Sequence, residues 1–157
     1  MTGRYLVARP RPPYAGWTFS RFVVGDRFGE DIVIGAAHLA DGARLTGDFN
    51  PLHVDPEFAE RSLFGGTILH GVVTSALMSA SFGNLVAGTA LGYLEHNARF
   101  LAPVRAGDTL RVTWTVVGVE PKPARGGGIV SAECEALNQH DVRVAVATGK
   151  MLVGEGG

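Results

Sequence analysis

The stretch around His70 to Val86 constrains this chain more than any other. Val72, Val73, Ala76, Leu77, Met78, Ala80 and Phe82 cover nearly the whole circumference of a helix, interrupted only by Thr74, Ser75, Ser79 and Ser81. A helix that is apolar on all sides is a buried one. The wider run from Ile68 to Leu91 is broken by His70, Asn84 and several Gly and Ser residues. A bilayer span needs about 20 predominantly apolar residues, so this reads as a core helix and no membrane partner is expected. Directly afterwards the period changes to two. Tyr93, Glu95, Asn97 and Arg99 alternate with Leu94, His96, Ala98 and Phe100. Leu110 to Val116, Val130 to Ala136, and Val142 through about Val153 repeat the alternation, so four strands are expected, most of them dry on one face. Turn signals separate them, at Pro103 to Asp108, Pro121 to Gly128 and Asn138 to Asp141. One buried helix followed by an antiparallel meander makes an α+β domain, with a twisted sheet curled around the helix.

The first half is less regular. Residues 1–16, with Pro10, Pro12 and Pro13, read as an extended arm, and residues 17–157 as one domain. Short β-like stretches lie at Phe22-Val-Val and Ile32-Val-Ile. Ala36 to Thr46 reads as a helix that Gly47 ends, and Asp55-Pro-Glu as a capped start of a short helix stopped by Phe64-Gly-Gly. Composition then narrows the function. With 14 Lys plus Arg against 15 Asp plus Glu, no basic excess points to nucleic acid. The single cysteine, Cys134, can form neither an intrachain disulfide nor a thiolate metal site, and the N-terminus lacks a signal-peptide core. The expected compartment is cytoplasmic.

The densest polar constellation is Thr46-Gly-Asp-Phe-Asn-Pro-Leu-His-Val-Asp55. Pro51 disfavours a helix through the segment, so a compact loop must bring Asp48 and His53 together. An Asp and a His converging on one water form a proton-transfer pair. The same letters also spell an ordinary turn, in which His53 packs beside Asp55. His70 reads as a hydrogen-bonded structural histidine, and His38 and His140 as surface residues. No metal-ligand spacing, phosphate loop or dinucleotide fingerprint is present.

Together with Phe64-Gly-Gly-Thr-Ile-Leu-His-Gly71 and Phe100-Leu-Ala-Pro-Val-Arg-Ala-Gly-Asp-Thr-Leu110, this segment resembles the hydratase motif of the MaoC-like family, which includes the (R)-specific enoyl-CoA hydratases. The resemblance spans most of residues 20–153. It implies a hot-dog fold, in agreement with the pattern above, and hydration of trans-2-enoyl-CoA to (R)-3-hydroxyacyl-CoA or the reverse. It implies Asp48 and His53 as the catalytic pair, and Gly71 as the glycine whose N–H binds the thioester carbonyl. Asn50 would brace the loop, and Ser79 would line the pocket on the central helix. No metal or redox cofactor is implied. The implied partners are an acyl-CoA thioester and a second copy of the chain, as a homodimer or higher homo-oligomer. A thioesterase, a dehydratase of acyl-carrier-protein substrates and a non-catalytic acyl-binding subunit remain as alternatives.

Overall fold

The computed structural model describes residues 3–156; the outermost ends of the expected arm and domain, Met1, Thr2 and Gly157, lie outside the described residues. The elements are β1 (Tyr5–Leu6), β2 (Arg27–Val33), α1 (Ala36–Thr46), α2 (Pro51–Val54), α3 (Pro56–Glu60), α4 (Gly71–Leu85), β3 (Ala90–Phe100), β4 (Thr109–Lys122), β5 (Gly127–Leu137) and β6 (Arg143–Gly154). The strands form one sheet in the order β1-β2-β4-β5-β6-β3, antiparallel except for the β1–β2 pair. The sheet curls around α4, which is the hot-dog arrangement.

The core is built where the two periods meet. Leu110, Val112, Trp114 and Val116 on β4, and Val130, Ala132, Cys134 and Ala136 on β5, all face inward and are buried. Against them α4 lays Met78, Phe82 and Leu85. Phe82 packs at 5.2 Å from Phe28 and 5.3 Å from Trp114, ring centre to ring centre. The Trp114 indole N–H donates to the Met78 carbonyl at 2.8 Å, pinning the helix to the sheet.

Several expectations are corrected. The last four strands are not a meander. β3 pairs with β6 rather than β4 and forms one edge of the sheet, because residues 101–108 cross its end and hand the chain to β4 beside β2. Phe22-Val-Val is not a strand but follows a 3-10 turn at Phe19–Arg21. In β6 the core side carries Ala145, Ala147, Met151 and Val153; Val144 is buried as expected, but a register shift beside it leaves Val146 opposite Glu135 on the outer side. In β3 a bulge between Tyr93 and Glu95 shifts the ladder, so that Tyr93 lies across from Met151 and His96 from Gly149. An extra residue reverses the alternation, and Tyr93 and His96 come to one face. Within this chain α4 is buried along one stripe only; Val72 is 61% exposed, since the sheet wraps the helix from one side. His38 is half-buried rather than fully exposed, and its Nδ1 accepts the Gly35 N–H at the start of α1.

The arm is tied down. Arg4 donates to the Val112 carbonyl and pairs with Asp31, and Trp17 N–H bonds the Leu85 carbonyl at the end of α4. Among the described residues no helix is long and apolar enough to cross a membrane.

Candidate active site

The loop after α1 is shaped by short polar side chains. Gly47 takes a left-handed conformation (φ 74°) that ends α1, and its N–H bonds the Ala43 carbonyl. Thr46 Oγ1 donates to the Gly42 carbonyl and accepts the Asp48 N–H. Asp48 Oδ1 then accepts the Asn50 N–H at 3.0 Å, and Asn50 Oδ1 caps α2 by accepting the Leu52 N–H at 3.1 Å. Pro51 sits in the first turn of that helix, where its missing N–H costs nothing. The proline therefore opens a helical turn rather than preventing one, and that turn carries His53. Asn50 braces the loop.

His53 Nδ1 lies 2.7 Å from the Ile68 carbonyl. A carbonyl only accepts, so Nδ1 carries a proton, and in the neutral ring Nε2 keeps its lone pair. Nε2 stands 3.8 Å from Asp48 Oδ2, with the His53 side chain 13% exposed and that of Asp48 52% exposed. This exceeds a direct hydrogen bond and matches a gap that one water can bridge. Gly71 is the first residue of α4, and His70 is its N-cap. The first-turn N–H groups of a helix have no partner within it, and among the described residues none accepts the Gly71 N–H. A Cβ at Gly71 would lie 2.8 Å from the Phe100 ring, so any larger residue would have to push that ring aside.

His53 and Gly71 share the wall of an apolar cavity of about 340 Å³ with Ile68, Thr74, Phe100 and Val104. Ser79 does not join them: its hydroxyl donates to the Ala76 carbonyl of its own helix, and it is not on the cavity wall. Thr74 lies one turn after Gly71 on α4, so helical spacing could have placed it here, whereas the contact of Phe100 with Gly71 joins segments remote in the chain. A larger concavity, about 690 Å³, lies over the outer sheet face beside Arg99, Glu133, Glu135 and Arg143. It carries charged side chains of both signs and holds no Asp/His pair like that beside the smaller cavity. Arg105 is engaged elsewhere, donating to the Phe64 carbonyl.

Asp48, His53 and His70 lie close enough to invite a metal reading. The donor set does not suit a cation, because His70 Nε2 spends its proton on the Asp48 carbonyl at 2.8 Å and offers no lone pair there. One turn along α4, Ser75 Oγ meets His96 Nε2 at 2.7 Å, and Tyr93 Oη meets Nδ1 at 2.7 Å. Burial lowers the proton affinity of His96. Burial first, and the nearby Cys134 second, push the Tyr93 hydroxyl up to about 12.

Fold and loop together define a hot-dog domain with an Asp/His pair at the mouth of an apolar pocket. The chain belongs to the MaoC-like family: residues 27–136 match the family described as MaoC like domain. It is 37% identical over 92 residues to a 3-hydroxybutyryl-CoA dehydratase of Methylorubrum extorquens, covering 59% of each protein. It is 38% identical over 80 residues to an (R)-specific enoyl-CoA hydratase of Rhodospirillum rubrum, covering 51% of this chain and 56% of that protein. These matches span less than two thirds of the relatives' lengths. The unliganded R-hydratase PhaJ1 of Pseudomonas aeruginosa superimposes with a TM-score of 0.78 at 28% identity, covering 88% of this chain and 86% of that one.

Proposed function

We propose that this protein is a hydro-lyase that adds water across the double bond of a trans-2-enoyl thioester, and removes it in reverse. The observation that carries the reading is the free Nε2 of His53, 3.8 Å from the Asp48 carboxylate, at the mouth of the cavity that Gly71 helps to line. In this mechanism the pair holds one water. One of the two takes a proton from it as the hydroxyl oxygen bonds to C3. The C2–C3 electron pair moves toward the thioester, whose oxygen becomes an enolate oxygen at the Gly71 N–H. The pair then returns a proton to C2. Both additions come from one face, a syn addition, and the name of the (R)-specific enoyl-CoA hydratase relative supports the (R)-3-hydroxyacyl product. An oxyanion donor of this kind is worth about 2.7–4 kcal/mol. Both side chains face the same water, so either can serve as the base.

The names of relatives such as the 3-hydroxybutyryl-CoA dehydratase and the (R)-specific enoyl-CoA hydratase support coenzyme A thioesters as substrates, and the single cysteine, which can form no intrachain disulfide, supports the cytoplasm as the place of work. A pocket of about 340 Å³ is at the small end of ligand sites, which supports acyl groups of around four to six carbons. The exposed edge strand β3 supports a homodimer joined along it, since natural proteins pair or cover long edges. Sedimentation at micromolar concentration showing only a 16.5 kDa species would remove the dimer from this reading. The activity is tested by adding a short trans-2-enoyl-CoA and following its ultraviolet absorbance. Hydration removes the double bond conjugated to the thioester, so absorbance falls without release of free thiol. Thiol release instead would identify a thioesterase, and no change at all a binding subunit.

A further inference from the structure

We infer that His70 is the positioning residue of this site, holding Asp48 and His53 in register with Gly71 through its hydrogen bond to the Asp48 carbonyl and its stack on the His53 imidazole. The inference rests on the hydro-lyase reading. His70 is 1% exposed and caps α4 immediately before Gly71. Its ring lies on that of His53, with centres 3.7 Å apart and planes 26° apart. Its Nε2 is 2.8 Å from the Asp48 carbonyl, which only accepts, so the proton sits on Nε2. Across the stack the His53 proton sits on Nδ1, given to the Ile68 carbonyl at 2.7 Å.

The other nitrogen of His70 enforces this choice. Nδ1 is buried and, among the described residues, has no hydrogen-bond partner. It faces Gly42 so closely that a Cβ there would stand 3.1 Å from it. Moving the proton to Nδ1, or flipping the ring, would bury an N–H without an acceptor and release the Asp48 carbonyl, both disfavoured. One side chain thus ties the exposed Asp48 loop to the residue beside Gly71. The stacked ring also limits how far the His53 imidazole can swing, so its Nε2 stays turned toward the carboxylate. His70 lies off the cavity wall. Its loss should therefore act on the rate of the chemical step and not on substrate binding, because small misplacements of reacting groups cost about 10²-fold.

The test compares His70→Gln with His70→Asn in hydration of a short trans-2-enoyl-CoA, beside Asp48→Asn and the unaltered protein. Gln carries an amide N–H to about the place of Nε2, whereas Asn falls short. His70→Asn should lower kcat at least ~10-fold with KM within about twofold, and His70→Gln should recover to within about threefold of the unaltered enzyme. Equal loss in both variants, a loss expressed in KM, or an unaffected His70→Asn overturns the inference. Long-range proton–nitrogen correlations in the unaltered protein decide it even if neither variant folds: protons on Nε2 of His70 and Nδ1 of His53 are expected, and a proton on Nδ1 of His70 overturns it. A protein without hydration activity, or an indifferent Asp48→Asn, sinks the hydro-lyase reading and this inference together. A crippled Asp48→Asn beside an active His70→Asn sinks this inference alone.

Discussion

Two histidines flank α4 one helical turn apart, and they are wired for different work. His53 gives its Nδ1 proton to a backbone carbonyl and turns a free Nε2 toward a carboxylate 3.8 Å away. His96 has both nitrogens engaged, by the hydroxyls of Ser75 and Tyr93, each at 2.7 Å. A hydroxyl can donate or accept, so His96 is satisfied in either neutral tautomer. A ring with one spare lone pair beside an acid is equipped to exchange protons, whereas a ring held at both ends is equipped to fasten a helix to a strand. The contrast shows that the partners of a histidine, and not its presence near a pocket, assign its role.

The largest expected effect breaks the comparison directly. Asp48→Asn and His53→Ala should each lower hydration turnover by at least ~10²-fold, the low end of general acid–base catalysis. The double variant should be little worse than either single one, since both act on one water. His96→Asn, measured in the same assay, should stay within about threefold. Comparable losses at positions 53 and 96 would erase the distinction drawn here.

The next effect sharpens the cavity side. Gly71→Ala keeps the N–H but places a Cβ 2.8 Å from the Phe100 ring. Overpacking of this kind costs about 1–3 kcal/mol, visible in the denaturant midpoint, and Phe100→Leu in the same chain should restore most of it. A midpoint unchanged in Gly71→Ala would mean that the helix and β3 are not in close contact there. Smaller again is the dependence on acyl length. Each methylene that the cavity cannot bury forfeits roughly 0.8 kcal/mol, about fourfold in kcat/KM. A series of trans-2-enoyl thioesters should therefore peak near four to six carbons. A rise continuing through dodecenoyl would show that the pocket runs on.

Legibility in the sequence followed the range of the interactions. α1 could be read to both of its ends, because its apolar spacing and the left-handed Gly47 are local. The same holds for Asp55, which caps α3 through the Phe58 N–H. The backbone around Asp48, Asn50 and His53 is set by turns and caps within a few residues and so was readable as a motif, whereas the Ile68 carbonyl that orients the His53 ring was not. The bulge in β3 was not, because alternation alone sends Tyr93 and His96 to opposite faces and only pairing with β6 reveals the extra residue. Ser79 shares a helical face with Gly71, yet spacing could not tell that its hydroxyl would turn back to Ala76. The bond from His70 to Asp48 and the contact of Phe100 with Gly71 join distant segments, so neither leaves a local trace.

The smallest effect belongs to His96 and concerns stability. Burial lowers its proton affinity in the folded chain below the ordinary value of 6.5. A group of this kind stays neutral in the fold while the unfolded chain takes up a proton, so the unfolded state binds more protons as pH falls through about 6.5. The stability associated with neutral His96 is fully present above that pH. It drains away below it, until the lowered folded value is reached. No other group needs to titrate for this to happen, although the half-buried Glu30, whose proton affinity burial raises instead, works in the opposite sense. Thermal midpoints measured between pH 7.5 and 5 should therefore fall more steeply for the unaltered protein than for His96→Gln, whose amide does not titrate. Parallel curves would mean that the Ser75–His96–Tyr93 brace accommodates a charged ring as readily as a neutral one, and the contrast with His53 would then rest on catalysis alone.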